Sequence, residues 1–329
     1  MADITHRFVR INGIKMHIAE AGPADGPCLI MCHGFPESWY SWRHQLHALG
    51  DAGYHAIAPD MRGYGTTSRP QRVNAYTQPR HVGDIVGLVN QLPHETAVIA
   101  GHDWGAPVAW NCALMRPDLF RAVVALSVPY LGRRPPFADD HEMKPTDAMK
   151  KMSGDNFHYQ LHFNNVGVAE AELERDTRHW LAGFFYTASG DAPADQVTIG
   201  QLKKGDLFQD GFAWPDTLPD WVSETDLDYY ASEFERTGFR GGLSWYRAID
   251  PSWREMAPYA GAKINVPACF VAGDRDGVIA NRKIYEETPN DVPDLRISRL
   301  LPGCGHWTQQ ERPTEVNDAM LAFLRDISA

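Results

Sequence analysis

Two stretches of the chain carry reactive side chains at positions where a turn can hold them. In Ala97-Val98-Ile99-Ala100-Gly101-His102-Asp103-Trp104-Gly105-Ala106 an apolar, strand-like run passes through a Gly-x-Asp-x-Gly turn into a helical pattern. Such a turn strains its central residue and needs small neighbours on either side. The central residue is Asp103, whose carboxylate is ionised at neutral pH and needs no base to attack an alkyl carbon bearing a leaving group. The product is an ester, and its hydrolysis calls for a base and an acid that orients the base. Pro302-Gly303-Cys304-Gly305-His306-Trp307 supplies His306 as the base, at the end of a later strand-like run. The run before it delivers Asp274 and Asp276, either of which can be the acid, whereas Ser127 and Val128 at the end of another run bring no carboxylate. His33-Gly34-Phe35-Pro36 forms a turn that aims a backbone N–H inward, so the N–H groups of Phe35 and Trp104 would make an oxyanion hole. An isolated Asp at a helix start is usually a cap, and one His usually serves packing or surface. Three such pieces in chain order, each at a strand end, point to catalysis; His33 and His102 read as structural.

For these residues to meet, the strands must end on one edge. Residues 4–11 and 14–21 read as a hairpin around Asn12-Gly13, followed by strands at 27–32, 54–58, 97–100 and 121–128. Helical patterns lie between them, from about Trp39, at 81–92 and at 105–115. Alternation of this kind gives a mainly parallel sheet covered on both faces. After Pro129 the rhythm stops: Arg133-Arg134-Pro135-Pro136 opens a stretch without strands that runs to about Arg254, with helices at 169–185 and 226–237, the second stopped by Gly238. It resumes with strands at 267–272 and 295–301, a helix at 282–287 between them, and a last helix at 313–327 with Thr314 as its cap. The organisation is an α/β core of residues 1–132 and 255–329 with a helical cap, 133–254, inserted into an eight-stranded sheet.

Composition narrows the function. The 329 residues are 43% hydrophobic and 22% charged, which excludes disorder as the main state. With 31 Lys+Arg against 42 Asp+Glu the net charge is −11, a field that repels nucleic acid and anionic membranes. No run approaches the roughly 18 apolar residues of a membrane span, so the expected compartment is the cytoplasm. Cys28, Cys32, Cys112, Cys269 and Cys304 are odd in number and read as buried thiols. Gly63-Tyr64-Gly65-Thr66-Thr67-Ser68 lacks the third glycine of a dinucleotide site, and there is neither His-Glu-x-x-His nor a Walker lysine, so no cofactor and no metal are implied. Arg133-Arg134 and Lys150-Lys151 read as solvated pairs, and a homodimer is the base-rate expectation for assembly.

The segments His33-Gly34-Phe35-Pro36-Glu37-Ser38-Trp39-Tyr40-Ser41-Trp42-Arg43, Asp60-Met61-Arg62-Gly63-Tyr64-Gly65, Gly101 to Ala106 and Gly303 to Trp307 resemble the soluble epoxide hydrolases of the α/β-hydrolase fold. In the insert, Phe157-His158-Tyr159-Gln160-Leu161 and Gly241-Gly242-Leu243-Ser244-Trp245-Tyr246-Arg247 are similar to the two segments carrying that family's epoxide-binding tyrosines. The resemblance implies that Tyr159 and Tyr246 donate to the epoxide oxygen, that Asp276 rather than Asp274 is the acid, and that a small apolar epoxide and water are the reactants. A dehalogenase would use the same Asp, His and acid with a halide-binding group, for which Trp104 is suitable, and the fold also serves non-catalytic receptors.

Overall fold

The strands divide by sequence pattern into covered and half-covered. Cys28–Cys32 (β3), His55–Pro59 (β4), Ala97–His102 (β5) and Ala268–Gly273 (β7) are buried at every position. Ile4–Ile11 (β1) and Leu295–Leu301 (β8) mix exposed and covered positions, as edge strands do. With Ile14–Ala21 (β2) and Phe120–Leu126 (β6) they form one eight-stranded sheet in the order β1-β2-β4-β3-β5-β6-β7-β8. β1 and β4 pair antiparallel with β2, and every other pairing is parallel. The parallel strands therefore end on a common edge. This computed structural model describes residues 1–133, 143–280 and 282–328.

Helices Arg43–Asp51 (α1), Gln78–Val89 (α2) and Gly105–Met115 (α3) connect the first six strands. Between β6 and β7 the described chain is helical, through Pro145–Ser153 (α4), Tyr159–Asn164 (α5), Val168–Leu173 (α6), Thr177–Ala188 (α7), Glu224–Thr237 (α8), Arg240–Arg247 (α9) and Ile249–Glu255 (α10). Arg282–Asp291 (α11) joins β7 to β8, and Thr308–Glu311 (α12) and Pro313–Asp326 (α13) end the chain. Residues of α1 and α13, such as Leu46 and Met320, cover one face of the sheet. The other face packs on α2 and α3 through Ile85 and Val108, and that cluster runs on through Phe35 into Phe163, Trp180 and Phe185 of the inserted helices. Burying one such aromatic side chain stabilises by about 2–3 kcal/mol, so the insert and the sheet share a core.

Three local expectations are corrected. The helix expected over 169–185 is two, because the Asp176 side chain accepts from the His179 N–H and starts α7 afresh. Thr314 does not cap the last helix: Pro313 already occupies its first turn and Arg312 stands at the cap position, as proline's fixed φ and missing N–H favour. Arg133 is not simply solvated, since its guanidinium lies 3.8 Å over the Trp253 ring; Arg134, Pro135 and Pro136 lie outside the described residues. All five cysteines are free and buried. Among the described residues no helix is long and apolar enough to cross a membrane.

Candidate active site

Asp103 sits between the end of β5 and the start of α3 with φ +49°, in the left-handed region that costs a non-glycine residue strain. The tightness of the turn accounts for its glycines. A Cβ on Gly101 would fall 2.0 Å from the Gly105 carbonyl oxygen, and one on Gly105 would fall 2.0 Å from that of Cys32. The turn lifts the carboxylate to the end of β3, where the Phe35 N–H donates to Asp103 Oδ1 at 2.8 Å. Trp104 follows directly, half-buried, with its ring edge-on to Tyr246 at 5.1 Å.

On the other side of Asp103 stands His306, its Nε2 3.4 Å from Asp103 Oδ2. Its Nδ1 is 3.1 Å from both oxygens of Asp276. Asp274 instead accepts from the Gly303 N–H at 2.8 Å and braces the loop. The backbone of His306 is gripped from two directions: its N–H donates to the Ala188 carbonyl at 2.8 Å, and its own carbonyl lies 2.7 Å from His102 Nε2. Glu311 accepts from the N–H groups of Gly190, Gly305 and Trp307 and ties the same loop to α12 and the insert. Burial alone would push His306 down, but Asp276 and Asp103 on either side hold its imidazole well above the usual histidine range. Burial would likewise push Asp276 up, and His306, Ser127 and the Val278 N–H outweigh it to keep the carboxyl low.

The inserted helices deliver two phenols over this group. Tyr159 opens α5 and Tyr246 lies in the last turn of α9, ring centroids 6.1 Å apart. α9 is fixed to the sheet by the Trp245 indole N–H, which donates to the Arg62 carbonyl at 2.9 Å, and by the stacking of that ring on His81. Gln160 donates to the Tyr159 hydroxyl at 3.0 Å. Burial and the nearby Asp103 charge push both phenols up, so they stay protonated donors. Phe35, Phe163 and Trp104 supply the apolar wall around Tyr246.

Glu37 and Ser127 have no assigned role in the sequence analysis, while His33 and His102 enter as the structural groups expected there. Glu37 is fully buried and its Oε2 meets the Gly34 N–H at 2.9 Å and His102 Nδ1 at 2.8 Å. Burial would raise it, but His102, His33 and that N–H bring it down to about 2. His102 thus links Glu37 to the backbone of His306. His33 is also structural: its Nε2 accepts from the Met61 N–H, so its Nδ1 carries the proton donated to the Gly34 carbonyl. Ser127 donates to Asp276 Oδ2 at 2.6 Å and has its Oγ 3.0 Å from His306 Nδ1. Gln160 and Glu311 likewise gave no signal beyond being polar near a motif.

Residues 27–313 match the protein family described as alpha/beta hydrolase fold. Epoxide hydrolase A of Mycobacterium tuberculosis (strain ATCC 25618 / H37Rv) is 44% identical, with 97% of each chain covered. Epoxide hydrolase 1 of Siraitia grosvenorii is 39% identical over 99% of both. The crystal structure of Epoxide Hydrolase A from Mycobacterium thermoresistibile superposes with a TM-score of 0.91 at 42% identity, covering 98% of each chain. A carboxylate at the strand-to-helix turn, an imidazole behind it and full-length similarity of this degree agree, and the chain belongs to the epoxide hydrolases of the α/β-hydrolase fold family.

Proposed function

We propose that this protein converts small apolar epoxides to vicinal diols through a covalent ester on Asp103. The observation that carries this reading is the carboxylate, not a hydroxyl, at the turn, with His306 Nε2 3.4 Å from it and two phenols near it, Tyr246 buried and Tyr159 partly buried. An Asp103 oxygen attacks one epoxide carbon as the ring C–O bond breaks, and a phenol O–H of Tyr159 or Tyr246 donates to the departing oxygen. Ester formation removes one of the two charges that held His306 protonated. The imidazole then releases a proton, and the phenolate is reprotonated. Neutral His306, its Nδ1–H directed at Asp276, takes a proton from water through Nε2 while the water oxygen adds to the ester carbonyl. The N–H groups of Phe35 and Trp104 receive the resulting oxyanion. Collapse expels the diol oxygen, which takes the proton from His306, and the freed carboxyl of Asp103 returns its own proton to the imidazole.

In this reading residues 1–132 and 255–329 are the catalytic core and 133–254 the cap that carries the phenols. We assign the protein to the cytoplasm, in keeping with its free thiols, and a homodimer is the assembly we expect. The two phenols of Tyr159 and Tyr246 near Asp103 favour an epoxide oxygen over a halide as the leaving group. Purified protein given an aryl epoxide and, in parallel, a short chloroalkane is expected to form diol without chloride, and Asp103→Ala to form neither. Chloride release without diol would move the assignment to a dehalogenase.

A further inference from the structure

Ser127 follows β6 and is fully buried with φ +69°, in the left-handed region that favours glycine. Its N–H donates to the Val271 carbonyl of β7 at 3.0 Å, and the Val128 N–H donates back to the Leu126 carbonyl at 2.8 Å, closing a tight three-residue turn around it. Turns of this form are rare and strained. Along with Asp103 and the hairpin residue Asn12, Ser127 completes the set of non-glycine residues with positive φ among the described residues. The strain has a visible outcome: the Oγ lies between the two members of the acid–base pair, 2.6 Å from Asp276 Oδ2 and 3.0 Å from His306 Nδ1. A hydroxyl has one proton and two lone pairs. The short contact to the carboxylate takes the proton, which leaves a lone pair facing the imidazole N–H.

We propose that Ser127 is a positioning residue for the acid–base pair: its hydroxyl donates to Asp276 and accepts from His306 Nδ1, which orients the carboxylate and limits how tightly it holds the imidazole. The proposal rests on the two-step reading above. With the Val278 N–H on Oδ1 at 2.9 Å and the Ser127 hydroxyl on Oδ2, Asp276 is fixed so that both oxygens stand equally far from Nδ1. Each donated hydrogen bond spreads the carboxylate's charge and lowers its basicity, which weakens its stabilisation of imidazolium. That matters in the ester, when Asp103 has lost its charge and His306 must be neutral to accept a proton from water. The other ionisable groups around the pair are Asp103 at Nε2, His102 and Glu311 against the backbone of the His306 loop, and Tyr159 and Cys304 within electrostatic reach of Asp276. None of them bonds to the Asp276 carboxylate.

The test is the pH dependence of ester hydrolysis, measured in single turnovers by following the mass of the Asp103 adduct, in the wild type and in Ser127→Ala, Ser127→Gly and Ser127→Thr. Removing the donor makes Asp276 a stronger partner for imidazolium, so the pH at which hydrolysis reaches half its maximum should rise by roughly one unit in Ala and Gly alike. Ester formation should change little. Thr keeps the hydroxyl and should bring the midpoint back towards that of the wild type. Gly also relieves the backbone strain, which secures a folded variant even where Ala is destabilised. An unmoved or lowered midpoint in Gly, with normal ester formation, would overturn the proposal. Absence of any adduct in the wild type would instead overturn the two-step reading itself.

Discussion

Burial and charge pull in opposite directions on the acid–base pair of the site and in the same direction on its two phenols. His306 is raised because the carboxylates of Asp276 and Asp103 outweigh its desolvation, while Tyr159 and Tyr246 are raised by desolvation and the Asp103 charge together. In the proposed mechanism the first arrangement would make a base that is released only when Asp103 becomes an ester, and the second would make donors that do not ionise before the epoxide opens. Removing one phenol with Tyr159→Phe or Tyr246→Phe is expected to slow ester formation by about tenfold to a hundredfold, or about 1.4–2.8 kcal/mol of barrier. The double variant should lose far more. Stopped-flow measurement of adduct formation distinguishes this from a packing role, in which each variant would lose stability while ester formation kept its rate. The tyrosines were legible only through resemblance, because a tyrosine on a helix is by itself as well explained by packing as by chemistry. Ser127 was passed over for lacking a carboxylate, and its role depends on a backbone conformation that residue type does not reveal.

At the scale of elements, the turn joining β5 to α3 does two jobs at one place. It exposes Asp103, and it lets α3 run close against β3, where Gly105 meets the Cys32 carbonyl. Gly105→Ala forces a side chain onto backbone that has no room to yield, so α3 must move away from β3. The expected result is a loss of about 1–3 kcal/mol of stability together with a fall in diol formation, checked by chemical denaturation and product assay on the same preparation. A variant of unchanged stability and activity would mean that the turn tolerates more relaxation than its geometry allows. The strands were legible because buried parallel strands are short apolar runs bounded by turns. The break between α6 and α7 was not, since 169–185 keeps a helical pattern across it and only the Asp176 side chain bond marks the restart.

For the whole molecule, the parallel strand order brings the ends of β3, β5, β6, β7 and β8 side by side, so residues as distant in sequence as Phe35, Asp103, Ser127, Asp276 and His306 meet at one edge. The alternation of strands and helices was enough to place that edge. The way the helices between β6 and β7 fold back over it was not readable from periodicity, because the contacts that fix them, such as the Trp245 indole on the Arg62 carbonyl, join residues far apart in sequence. A single turnover in oxygen-18 water, with enzyme in excess over epoxide, should give diol without the label and an Asp103 peptide that carries it, because water attacks the ester carbonyl and the diol takes its oxygen from the carboxylate. Label in the diol of that first turnover, with none in the peptide, would contradict the ester and assign the attack on the epoxide to water itself.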